Sequence, residues 1–186
     1  MKVLVLVALF GAIPALAGAA QTARRTPGSG QAPAAATSQG DNRAQAYEQY
    51  LLAQRLEGAR DRDGAVAALK RAIALDPKSA ELPAALADLY LDLDRSDEAI
   101  ATAEQALKIE ADNRDAHRVL GTLYAAAATD QKASRDSRQK YLKDAISHLE
   151  QAAIERQGLQ ADPNVRAMLA RLFIDRKSTR LNSSHT

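Results

Sequence analysis

A short apolar pattern returns at a fixed step along the middle of the chain, and this recurrence limits the fold more than any other feature. Leu52-Ala53-x-x-Leu56 is followed by Leu86-Ala87-x-x-Tyr90 and Leu120-Gly121-x-x-Tyr124, so the motif starts at residues 52, 86 and 120, in steps of 34. A further copy, Leu169-Ala170-x-x-Phe173, lies downstream. A second pattern trails each of the first three: Ala65, Leu69 and Ala72, then Ala99, Ala103 and Ala106, then Ala145, Leu149 and Ala152. Spacings of three and four put each set on one face of a helix. Small residues suit the places where two helix backbones press together, and the leucines supply buried bulk. A single helical hairpin of this kind is too short and one-sided to build a core. Stacking on a neighbour covers the exposed stripe, so the pattern predicts an all-α array of antiparallel helix-turn-helix units.

The second pattern starts 13 residues after the leucine in the first two units and 25 after it in the third, so the third carries 12 extra residues, roughly 129–140. Its second helix is expected to start early and project beyond its neighbours. Lys132, Arg135, Arg138 and Lys140 outnumber Asp130 and Asp136 there, which reads either as a docking arm for an acidic partner or as a solvated helix extension. Expected helix caps are Asp41 or Asn42, Ser79, Asn113, and Asp162 ahead of Pro163.

Composition excludes several chemistries. There is no cysteine, hence no disulfide, thiolate metal site, thiol nucleophile or lipidated cysteine. Two phenylalanines, five tyrosines and no tryptophan, with few β-branched residues, argue against a sandwich or barrel. Residues 44–174 hold 18 Lys+Arg against 21 Asp+Glu, a net of −3; the other segments hold 7 cations and 2 anions, and together these give the overall +2. The folded part therefore lacks the charge expected of a nucleic-acid binder. His117 and His148 have no partner at ligand spacing, and no Gly-x-Ser-x-Gly elbow, Walker loop or His-Glu-x-x-His is present. No metal, no cofactor, no small-molecule substrate and no catalysis are expected.

The paired motifs resemble the tetratricopeptide repeat, with Pro77 at the closing position of the first unit. Ala111 and Gln157 depart from that proline, and the family's first large position is degenerate, with Gln49, Pro83, His117 and Arg166. The resemblance implies about three and a half units over 44–174, divided as 46–79, 80–113, 114–162 and 163–174, in a right-handed α-solenoid. It also implies a concave groove lined by the first helix of each unit. Carried over by position, the lining is Tyr47, Tyr50, Gln54 and Glu57, then Glu81, Ala84, Asp88 and Leu91, then Asp115, Arg118, Thr122 and Ala125. The Lys/Asn set with which family members clamp a C-terminal carboxylate is missing. The implied partner is a protein or peptide with an apolar anchor and basic character. An RNA-binding helical repeat is opposed by the charge of the body and by the leader.

That leader, residues 1–19, runs from Lys2 through an apolar core to small residues at Ala15, Ala17 and Ala19, in the order of a secretory signal peptide. It implies a periplasmic or secreted protein, with membrane attachment only if the segment stays uncleaved as an anchor. Residues 20–43 are rich in Pro, Gly, Ala and Ser and read as a flexible linker; Gly28-Ser29-Gly30 within them is not a phosphate loop. From Asp175 the helical pattern breaks, and 175–186 resembles a translated sequencing adapter, so this tail is read as non-native. The alternative function that follows is an accessory repeat region of a larger exported enzyme whose C-terminal part is missing.

Overall fold

Alanine, leucine and long charged residues carry the highest helix propensities, and they dominate the repeated stretches. The computed structural model describes residues 34–154 and 162–183, with side chains over 40–154 and 162–177, and among these residues the ordered elements are seven helices. They are α1 Ala34–Gly58, α2 Arg62–Leu75, α3 Glu81–Asp92, α4 Ser96–Ile109, α5 Arg114–Thr129, α6 Arg135–Ala152 and α7 Pro163–Ser183. The helices pair as hairpins α1/α2, α3/α4 and α5/α6, and successive hairpins stack through α2 on α3 and α4 on α5, with α7 against α6. The leader 1–19, residues 20–33, residues 155–161 with Gln157, and residues 184–186 lie outside the described residues. Among the described helices none is long and apolar enough to cross a membrane.

The two-helix turns of the first two units are built alike. Arg60 and Asp94 take left-handed backbone conformations, with φ of 64° and 55°. The amide of Asp61 donates to Leu56 O at 2.9 Å, and that of Arg95 to Tyr90 O at 2.9 Å, which closes a Schellman turn after each first helix. The third unit abandons this turn. Its 12 added residues are divided: α5 runs three residues further past its motif leucine than α1 or α3, the connection is two residues longer, and α6 starts seven residues earlier than α2 or α4. The early start of the second helix agrees with expectation; the lengthening of α5 was not foreseen.

Two boundary expectations are corrected. α1 begins at Ala34, so 34–43 is helical rather than linker, and Asp41 and Asn42 lie inside the helix, not at its cap. The run Ala34-Ala35-Ala36 costs little to order once the packed turns downstream have nucleated the helix. Likewise α7 continues to Ser183, through residues that were expected to break the pattern, because Arg, Lys and Leu are good helix formers and no Gly or Pro intervenes. Asn113 caps α5 by accepting from Ala116 N at 3.0 Å, and Asp162 accepts from Asn164 N at 2.8 Å. Ser79 does not cap α3: the cap position falls on Ala80, with no side-chain bond. Pro83 at the third helical position has no N–H to be capped, which removes one reason for a capping side chain.

The core runs along the stack. Ala53, Ala65, Leu69, Ala72, Leu86, Ala87, Tyr90, Ala99, Ala106, Leu120, Ala145, Leu149 and Ala152 are buried, and so is Gly121. Leu52, Leu56 and Tyr124 are half-buried at its edge. A Cβ at Gly121 would sit 2.6 Å from Leu149 Cγ and 3.2 Å from Leu149 N, so α5 and α6 approach closely enough there to require glycine.

Candidate partner-binding groove

The first helices α1, α3 and α5 present a polar stripe to one another. Tyr50 is its hinge point, because it lines two adjoining recesses. One, of about 540 Å³, is walled by Arg43, Ala46, Tyr47, Tyr50, Asp76, Glu81, Leu82 and Glu110. The other, of about 210 Å³, is walled by Tyr50, Gln54, Glu57, Asp88 and Asp92 over the buried Ala53, Leu69 and Leu89. Tyr47 and Tyr50 stack with centroids 6.5 Å apart. The Gln54 amide donates to the Tyr50 hydroxyl at 2.8 Å, which fixes the ring's orientation. Tyr47 is 61% exposed, an aromatic surface with little covering it.

The floor of the groove is acidic. Partial burial first, then the neighbouring carboxylates of Asp88 and Asp92, push the Glu57 carboxyl above its ordinary value, and Arg62 only partly offsets them. Arg62 is committed elsewhere, donating to Asp92 O at 2.8 Å at the end of α3. The groove's arginine is also engaged: Arg118 Nη2 lies 2.9 Å from Asp88 Oδ1 and its Nε 3.8 Å from Asp115 Oδ1. This bridge ties α5 to α3. At the entrance, Arg43 pairs with Asp76 at 3.4 Å.

The structure thus gathers Tyr47, Tyr50 and Glu81 around one recess, Tyr50, Gln54, Glu57 and Asp88 around the next, and Asp115 with Arg118 beyond them. Leu91 is half-buried against the core, and the Thr122 hydroxyl donates to Arg118 O at 2.8 Å within its own helix. Ala84 and Ala125 are corrected: both are buried, 2% and 9% exposed, and pack rather than line.

Sequence reasoning also missed a histidine pair. The sequence offers His117 and His148 no partner at ligand spacing, yet their Nδ1 atoms are 2.8 Å apart. His117 Nε2 lies 3.0 Å from Ala111 O, and a carbonyl only accepts, so Nε2 carries that ring's proton. His117 Nδ1 is then the acceptor and His148 Nδ1–H the donor. Tyr124 stacks on His148 at 5.6 Å and Tyr141 on Tyr124 at 6.2 Å, which extends the column. The signal lay in matched steps of seven, 117 to 124 along α5 and 141 to 148 along α6, which antiparallel pairing brings face to face. Among the described residues no group of three or more metal-ligating side chains converges.

Comparison with known proteins agrees with this architecture. Residues 56–133 match the tetratricopeptide repeat family model. The Arabidopsis OM64 TPR domain superposes with a TM-score of 0.56 at 17% identity, over 70% of this chain and 96% of that one. The first TPR of Spaghetti (RPAP3), bound to the HSP90 peptide SRMEEVD, gives 0.57 at 16% identity, over 72% and 96%. A putative protein binding protein from Bacteroides ovatus gives 0.56 at 17%, over 72% and 74%. No curated protein sequence matches the chain. The fold is an all-α helical repeat of the tetratricopeptide type.

Proposed function

We propose that this chain is a protein-interaction scaffold that grips a peptide segment of a partner in the Tyr50-centred groove and performs no chemistry of its own. The observation that carries the reading is the composition of that groove: the exposed Tyr47 face stacked on half-buried Tyr50, beside the clustered carboxylates of Glu57, Asp88 and Asp92, with Arg118 already bridged to Asp88. Aromatic faces anchor apolar or cationic side chains, and clustered carboxylates favour lysine and arginine. The preferred segment is basic with an apolar anchor. One structure of similar fold holds the acidic peptide SRMEEVD; an acidic segment of that kind suits this groove poorly, because like charges would be desolvated together.

The test uses two fluorescein-labelled peptides on the full chain, one alternating Lys and Leu and one alternating Glu and Leu, read at this groove by substitution. The Lys peptide is expected to bind in the micromolar range, about 10-fold more weakly in E57Q/D88N, with affinity falling as salt rises. Equal affinity of the wild type and E57Q/D88N for the Lys peptide would overturn the assignment of the groove.

The location outside the cytoplasm belongs to the same proposal and rests on residues 1–19. A reporter fused after residue 43 should reach the periplasm of a bacterial host and lose its leader; retention in the cytoplasm would sink it. The alternative, an accessory repeat region of a larger exported enzyme, would be supported by a catalytic motif found on the same polypeptide as these repeats.

A further inference from the structure

The residues added to the third unit build a recess of their own, away from the groove. The lengthened end of α5 and the early turns of α6 bring Ala128, Thr129, Arg135 and Arg138 together with Leu142 and with Leu172 of α7 around a cavity of about 360 Å³. Arg135 and Arg138 are three apart on α6 and share a face. Among the described residues neither enters an ion pair, in contrast to Arg43, Arg95 and Arg118. Leu172 is 4% exposed and Leu142 half-buried, so the guanidiniums stand over an apolar wall. Arg135 is also the first residue of α6, where the positive end of the helix dipole adds to its charge.

We propose that this recess binds an acidic segment of a partner protein, with a carboxylate side chain held between Arg135 and Arg138 and an adjoining apolar side chain laid on Leu142 and Leu172. The planar guanidinium fork matches a carboxylate and is lightly hydrated, so pairing against an apolar wall costs less desolvation than it would for lysine. The recess sets one carboxylate, Asp175, among its lining residues beside the two arginines, so it is not a continuous basic track. It offers no aromatic platform among its lining residues and sits on a body of net charge −3, which favours an acidic peptide over a nucleic acid.

The probe is a capped, fluorescein-labelled peptide of alternating Glu-Leu and Ser-Gly pairs, titrated into the full chain by anisotropy beside its Glu→Gln counterpart and an oligo-uridylate of equal length. Saturable binding of the Glu peptide is expected, at least 10-fold weaker for the Gln peptide and for R135Q/R138Q, and tightened severalfold by D175N. Circular dichroism of each variant establishes that it is folded. Equal binding of the Glu and Gln peptides, wild-type affinity in R135Q/R138Q, tighter binding of the oligo-uridylate, or no binding of the Glu peptide at millimolar concentration would each overturn the proposal.

Discussion

Arg60 and Asp94 hold left-handed conformations that cost a side chain about 1 kcal/mol and glycine very little. Arg60 is exposed and engaged only through its backbone in the turn, so Arg60→Gly should stabilise the protein by about 1 kcal/mol, seen as a higher urea midpoint at unchanged slope. Gly121 should behave in the opposite way. Alanine is the better helix former by about 1 kcal/mol, but its methyl would meet buried Leu149 on two sides, and overpacking costs about 1–3 kcal/mol. Gly121→Ala is therefore expected to destabilise, and a double-mutant cycle with Leu149→Ala should show the pair to be less costly than the sum of the singles. Ala106 is fully buried, and Ala106→Glu should cost roughly 3 kcal/mol or more, since it overpacks and buries a charge; a variant melting like the wild type would contradict its inward placement. At this scale the sequence was informative about which stripe faces inward, because helical spacing reports direction. It was poor on depth: Leu52 stays half-exposed while Ala84 is sealed, since depth depends on what the neighbouring hairpin covers.

The α5/α6 hairpin differs from the other two in carrying a titratable contact at its seam. Burial first, then the facing His117, holds the His148 imidazole below its ordinary value of 6.5, while Asp144 and Glu104 partly oppose this. The unfolded chain then binds a proton more readily than the folded one. Stability contributed by the neutral pair is complete above about pH 6.5 and declines as pH falls below that value. The thermal midpoint should fall between pH 7 and pH 5.5 more steeply in the wild type than in His148→Gln, measured by circular dichroism at constant ionic strength. The hairpins themselves were readable from spacing, as were the Asn113 and Asp162 caps. What escaped was the start of α1, the end of α7 and the division of the insertion. The end of α7 has no Gly or Pro stop, and at the start of α1 the alanine run after Pro33 extends a helix that packing has already nucleated downstream, in spite of Gly40.

Each hairpin of the molecule touches chiefly its neighbours, so stability is a sum of local terms. The Asp88–Arg118 bridge joins two units across the groove, and both side chains are partly solvent-exposed, so it contributes only about 0–1 kcal/mol. Its larger effect is on charge: Arg118→Ala should leave the fold intact, expose a further free carboxylate and tighten a Lys-Leu peptide several-fold, as anisotropy would record. Raised Glu57 adds a pH signature, because the groove loses negative charge as pH drops toward and below the ordinary carboxylate range, and affinity for a cationic peptide should weaken with it. The stacked architecture was legible from the recurring motif alone. The groove was legible only as a set of positions, since the acid cluster and its captive arginine depend on side chains from three helices meeting.

The recurring left-handed corner has an engineering consequence. Residues 80–113 begin just before α3 and end at the Asn113 cap of α5, so they span one whole hairpin with its corner and the cap of the next. A duplicate of this cassette, spliced between 113 and 114, would present to α5 the α4 surface it already meets, and would set the copied α3 on the first α4, in the place that α2 takes beside the first α3. The lengthened protein should fold with a higher denaturation midpoint, and it would carry one more rung for a longer guest to grasp.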